Sequence, residues 1–142
     1  MRLKNLLFIS AIHFVNDGYS GMLSPLLPLI AAKFDLSLTS AGMLVSGYSL
    51  FAAMSQPVLG YFADKSKRTF FVVTGPLMSC IFMSMLGVAP NIIFLLLFLA
   101  MAGLGVSSFH PQAASLAGKI SGEQRGWGLG IFIMGGTIGY GG

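Results

Sequence analysis

Apolar residues fill the chain in long runs, and charge interrupts those runs at only a few places. A helix needs roughly 20 apolar residues to cross a hydrocarbon core of about 30 Å, so cutting the chain at its charges predicts its elements. Five membrane-spanning helices are expected: 5–32, 36–63, 70–89, 92–118 and 126–142. The first contains one formal charge, Asp17, and the tight turn Pro90-Asn91 separates the third from the fourth. The fifth is still apolar and glycine-rich at Gly142, as expected of a sequence cut inside a helix. The whole chain is expected to be one incomplete N-terminal transmembrane domain, residues 1–142. Arg2 and Lys4 precede the first apolar run as in a signal peptide, but the run is long and holds Asp17, Pro25 and Pro28. No small-x-small cleavage site follows, so a retained membrane helix is expected.

Composition agrees with this pattern. Hydrophobic residues make up 55% and charged residues 8% of the chain, and mean hydropathy is +0.83. A soluble domain carries about 25% charged residues to cover its surface, so most of this surface faces lipid or other helices. The net charge of +4 and pI near 9.5 would in a soluble protein point to nucleic acid. Here the basic residues sit between apolar runs, where they report orientation, and no nucleic-acid partner is expected. Arg2 and Lys4 precede the first span, Lys33 follows it, Lys65, Lys67 and Arg68 follow the second, and Lys119 and Arg125 follow the fourth. A cytoplasmic N-terminus in the inner membrane leaves only Lys33 of the eight outside. This bias argues against a small exporter built as an antiparallel dimer, which needs balanced loop charges. The lone Cys80 excludes an internal disulfide, and no His/Cys grouping has zinc spacing, so neither cofactor nor metal is expected.

Polar residues inside the spans carry the candidate chemistry. His13, Asn16 and Asp17 stand at i, i+3 and i+4, on one helical face near the middle of the first span. An aspartate there costs about 2.5–3.5 kcal/mol on an insertion scale, so it should face a cavity, a partner or a proton. His110, in Ser107-Ser-Phe-His-Pro-Gln112, falls at a depth similar to that of His13. Pro111 frees a carbonyl one turn earlier, adding an acceptor near Ser107. A histidine and a buried carboxylate can exchange a proton at physiological pH. Gly42, Ser46, Gly47, Ala52, Ala53, Gly103 and Gly105 would let helices approach closely. No residue set supports catalysis, since Ser107 or Ser108 beside His110 on one helix is not a dyad, and no enzyme is expected.

The connection after the second span, Gly60-Tyr-Phe-Ala63-Asp64-Lys65-Ser-Lys-Arg68, resembles the major facilitator superfamily signature G-x-L-A-D-R/K-x-G-R/K-R/K, and it stands where that signature stands. Lys67 occupies the place of the second glycine, and Thr69 that of a second basic residue. The resemblance implies gating roles for Gly60, Asp64, Lys65 and Arg68, in a charge relay that holds helix ends together in one state of alternating access. Gly126, Gly135 and Gly139 follow the glycine spacing of the antiporter motif of drug/proton exchangers, with Tyr140 in place of its proline. The arginine of the fourth-helix motif is absent, its place falling at Leu99. Within the superfamily the likeness is to the fosmidomycin resistance type of efflux transporter. It is carried by His13 to Asp17, Pro25-Leu-Leu-Pro28, Ala41-Gly42, Gln56-Pro57, Phe109-His110-Pro111 and Gly135-Gly136.

The resemblance implies an all-α membrane protein of twelve helices in two halves, of which this chain holds about five, with a midplane site between the halves lined partly by helices one and four. It implies proton-coupled efflux of a small organic compound or drug, with His13, Asn16, Asp17 and His110 contacting substrate or protons. The implied partners are the bilayer, a small-molecule substrate, protons and the remaining helices of the transporter. Two alternatives stand beside it: a sugar or metabolite symporter of the same fold, and a non-transporting membrane assembly or regulatory protein.

Overall fold

The computed structural model describes residues 2–65 and 69–141, and these are helical almost throughout. The helices are α1 (Leu3–Gly21), α2 (Leu23–Phe34), α3 (Leu38–Lys65), α4 (Phe70–Ser84), α5 (Ile92–Ser121) and α6 (Arg125–Gly141). Three stretches are long and apolar enough to cross a bilayer: Leu38–Lys65, Phe70–Val88 and Ile92–Gly141. The last has 50 residues, about 75 Å of helix, which would be more than twice the hydrocarbon thickness. It turns back instead at Gly122, whose φ of 57° favours glycine, so α5 and α6 are separate helices.

The path expected as one helix over 5–32 is interrupted at Met22, between α1 and α2. Met22 keeps right-handed helical geometry, its N–H donates to Gly18 O, and its own carbonyl accepts from Leu26 N. Pro25 has no N–H to offer the Gly21 carbonyl and its ring crowds that carbonyl, so the missing link is local and accounts for the interruption. Side-chain caps fix two other helix starts. Ser37 Oγ accepts from Ser40 N ahead of α3, and Asn91 Oδ1 accepts from Ile93 N and Phe94 N at the start of α5.

Close contacts define helix directions. Leu6 meets Gly128, Ser10 meets Gly135 and Phe14 meets Gly139, so α1 and α6 run parallel. Tyr48 meets Gly103, Ala52 meets Ser107 and Gly60 meets Pro111, so α3 and α5 also run parallel. Gly75 meets Gly105 while Val72 N bonds Gln112 Oε1, which makes α4 and α5 antiparallel. With α1 and α2 taken as one path, the helices therefore alternate in direction along the chain, with α5 central.

Two hydrogen bonds mark the ends of this bundle. Arg2 N donates to Ile120 O, bringing the start of α1 to the α5–α6 turn, and Lys33 Nζ donates to Gly87 O, bringing the end of α2 to the α4–α5 turn. Arg2, Lys4, Lys119 and Arg125 consequently share one end, where α3 also delivers Asp64 and Lys65, and Lys33 lies at the other.

Backbone contacts through small residues hold α4 on α5. A Cβ on Gly75 would lie 2.7 Å from Gly105 O, and one on Gly105 would lie 2.6 Å from Ser79 N. In lipid, where apolar burial gives little net drive between helices, this close packing is what favours association. Gly103 likewise fits against Tyr48 and Phe51, whereas Gly42 and Gly47 face open space. Apolar side chains gather in two layers. Leu6, Ile9, Val72, Phe109, Ala113, Ala117 and Phe132 fill the basic end, and Leu23, Ile30, Leu44, Tyr48, Met83, Leu86 and Leu95 the opposite one. Large side chains such as Phe8, Leu29, Met43, Met54, Val73 and Leu97 remain exposed on the outside, as suits a lipid-facing surface.

Candidate functional site

Between the two apolar layers α1 presents a polar face. Its buried residues, Leu6, Ile9, Ser10, His13, Asn16 and Ser20, fall at helical spacing, with Ile9 and Ser10 side by side, and so form one stripe. The lower part of that stripe is apolar and packs conventionally. At His13 it turns polar, and there α5 brings in His110 from the opposite side.

Three side chains converge. His13 Nε2 lies 3.1 Å from Asp17 Oδ2, His110 Nε2 lies 3.3 Å from Asp17 Oδ1, and the two Nε2 atoms are 3.3 Å apart. Each imidazole is fixed from behind. His13 Nδ1 bonds Phe132 O at 2.8 Å and His110 Nδ1 bonds Val106 O at 2.7 Å. A carbonyl only accepts, so both Nδ1 atoms carry the hydrogen, and both Nε2 atoms point a lone pair at the carboxylate and at each other. Four acceptors facing inward repel one another unless a positively charged species lies among them. A single shared proton, making one imidazole a donor to Asp17, satisfies the cluster.

The surrounding residues hold this geometry. The His13 ring stacks on Phe132 with centroids 4.1 Å apart, and its far side meets Phe109. Asn16 is fully buried, and its Nδ2 donates to Asp17 Oδ1 at 2.9 Å, so it positions the carboxylate. Gly136 supplies the space, for a Cβ there would collide with His13 Nε2 and Cε1 and lie 2.8 Å from Asp17 Oδ2. Asp17 retains 15% exposure, and that exposure opens into a cleft of about 720 Å³. His13, Asp17, Gln56, His110, Thr137 and Tyr140 contribute the polar part of its wall, while Pro111, Phe132 and Ile133 supply apolar surface.

The remaining candidate residues stand elsewhere. Gly60 packs on Pro111, and Asp64 and Lys65 are exposed at the basic end of α3, where Lys65 Nζ bonds Tyr61 Oη and lies over its ring. Arg68 lies outside the described residues. Gly135 and Gly139 meet α1 backbone: a Cβ on Gly135 would lie 2.6 Å from Ser10 O, and one on Gly139 would collide with Phe14 O. Gly126, grouped with them by spacing, faces open space on the first turn of α6. Spacing alone did not single out Gly136, Phe132 or Gln56, because Gly136 and Phe132 take part through α6 meeting His13, and Gln56 by sharing the wall of the cleft.

Comparison with known proteins follows the same outline. The Major Facilitator Superfamily model matches residues 9–141. The fosmidomycin resistance protein of Escherichia coli strain K12 is 30% identical over 131 residues, covering 92% of this chain and 32% of its own length. The uncharacterized MFS-type transporter YfnC of Bacillus subtilis strain 168 is 28% identical over 134 residues, 94% of this chain and 33% of its own. The multidrug resistance protein MdtG of Citrobacter koseri is 31% identical over 132 residues, 89% and 32% respectively. The chain thus spans about a third of the length of these relatives. No solved structure matches it significantly.

Proposed function

Because the chain belongs to the major facilitator superfamily, and is therefore multi-pass membrane protein, we propose that it forms part of a transporter exporting a small organic compound by alternating access, driven by proton entry. One observation carries the proposal: His13, Asp17 and His110 meet at mid-depth in the wall of a cleft, where a carboxylate without such a purpose is costly. The mixed wall suits an organic cargo, with aromatic and aliphatic surface for its body and Gln56, Thr137 and Tyr140 for its polar groups.

In this proposal α1, α5 and α6 are one wall of the transport path, and helices beyond this chain supply the other. Proton binding at the triad neutralises its charge, and cargo leaves as the proton enters. Asp64 and Lys65 at the basic end, with Arg68 of the same sequence motif, close helix ends together in one state of the cycle. The names of two relatives, fosmidomycin resistance and multidrug resistance, favour export and supply a probe. Cells of a sensitive host expressing the protein from its own gene should accumulate less fosmidomycin than controls, and a protonophore should abolish the difference. Equal accumulation in energised cells with the protein present in the membrane would overturn the proposal for this cargo class.

In the same proposal the basic end faces the cytoplasm of the inner membrane, a reading supported by the excess of Arg and Lys there. Cysteines replacing Ser37 and Glu123, in a Cys80→Ala background, should then react with an impermeant thiol reagent from outside and inside respectively. Both positions are exposed and lie at opposite ends of the bundle. Labelling of both from one side would contradict the assigned topology.

A further inference from the structure

We infer that His13, Asp17 and His110 also form a binding site for a divalent transition-metal ion of the Zn²⁺ or Co²⁺ class, taken in place of the proton. The first argument is size. Zinc ligands sit at roughly 2.0–2.1 Å, and a tetrahedron of that radius has edges of about 3.3–3.4 Å. His13 Nε2 and His110 Nε2 are 3.3 Å apart, which is one such edge. Each lies at edge distance from a different oxygen of Asp17, His13 3.1 Å from Oδ2 and His110 3.3 Å from Oδ1, so only a turn of the carboxylate is needed to set one oxygen against both nitrogens.

The second argument is tautomer. A histidine can ligate through Nε2 only if that atom is bare, and metal-site histidines usually hold the other nitrogen's hydrogen against a carbonyl or carboxylate. Both histidines already do so, His13 on Phe132 O and His110 on Val106 O. Charge is the third. Two neutral imidazoles and one carboxylate carry −1, which balances half of a divalent charge inside the membrane while the imidazole nitrogens replace its water, whereas a bare cation would be expelled. The donor set of two nitrogens and one oxygen suits zinc and cobalt better than magnesium or calcium, which prefer oxygen alone. The fourth position opens to the cleft, so water or a cargo atom completes the shell.

The inference shares its residues with the export proposal, but its test reads bound metal, not flux. The protein, carrying no histidine tag and held in native-membrane nanodiscs, would be titrated with Co²⁺ while visible absorption is followed. A d–d band of low-symmetry cobalt should appear, Zn²⁺ should displace it, and X-ray absorption of the zinc form should show N/O neighbours, imidazole among them, at roughly 2.0–2.1 Å. His110→Gln should weaken binding at least about 10- to 100-fold, and Cys80→Ala should leave it unchanged, excluding a thiolate ligand. Gly130→Ala, at a position with open space around it, serves as a folded control on α6. Absence of the band in the parent, or a band that survives His110→Gln unaltered, overturns the metal site. Metal binding without proton-linked efflux would instead overturn the export proposal and leave this one standing.

Discussion

Asp17→Asn is expected to reduce proton-linked efflux to background while the protein remains folded in the membrane. The carboxylate is the one acidic group in the triad, and both imidazoles and the Asn16 amide are directed at it. Asparagine keeps the shape. Its amide nitrogen can donate to an imidazole Nε2 that otherwise faces a lone pair, so packing and hydrogen bonding survive, and the cost to stability should stay near the net worth of one hydrogen bond, about 1 kcal/mol. What asparagine cannot do is carry −1 in one state and 0 in another. Drug accumulation in energised cells, together with thermal stability in nanodiscs, separates the two effects. Parent-level efflux in a variant of parent stability would show that Asp17 only holds helices together.

The second large effect is expected from Gly136→Ala. A methyl group there falls on His13 Nε2 and Cε1, and His13 has no simple way to yield, since its ring is stacked on Phe132 and its Nδ1 is bonded to the Phe132 carbonyl. Either His13 leaves Asp17 or α6 moves off α1, and both break the triad. Efflux should fall to background, with overpacking costing about 1–3 kcal/mol. Two neighbouring changes calibrate this result. Gly139→Ala places its methyl on the Phe14 carbonyl, a backbone atom, so it should destabilise the α1–α6 pair by a comparable or larger amount without touching the triad directly. Gly130→Ala meets nothing within 4 Å and should be neutral or stabilising by up to about 1 kcal/mol through helix propensity. If Gly136→Ala matched Gly130→Ala in both stability and efflux, α6 would not lie against the triad in the working protein.

Much of this protein is legible along the chain. The intervals between charges mark the expected crossings, because a charge in hydrocarbon is expensive and a hydrogen-bonded helix is the economical way for a single segment to span it. The helical period is enough to put His13, Asn16 and Asp17 on one face, and the insertion cost of Asp17 is enough to mark that face as special. The likeness around Gly60 to Arg68 and Phe109 to Pro111 is likewise a property of the sequence alone.

Other features depend on how the helices meet. Equal depth does not imply contact, and only the packing of α1 and α5 around a common neighbour brings His110 within 3.3 Å of Asp17. Periodicity also could not distinguish a glycine that faces a partner from one that faces lipid. Gly135, Gly136 and Gly139 meet α1, while Gly126 and Gly42 do not, because that difference is set by the rotation of each helix about its axis. The tautomers of His13 and His110 depend on carbonyls supplied by α6 and by one turn of α5, so the convergence of two bare nitrogens on one carboxylate was beyond any spacing rule. The sequence by itself determined which segments are apolar enough to be expected in a membrane and which polar residues must justify a place there, since those are costs each residue meets alone. Which of them form a site was decided by tertiary structure, because lone pairs and charges interact over a few ångströms and only packing sets such distances.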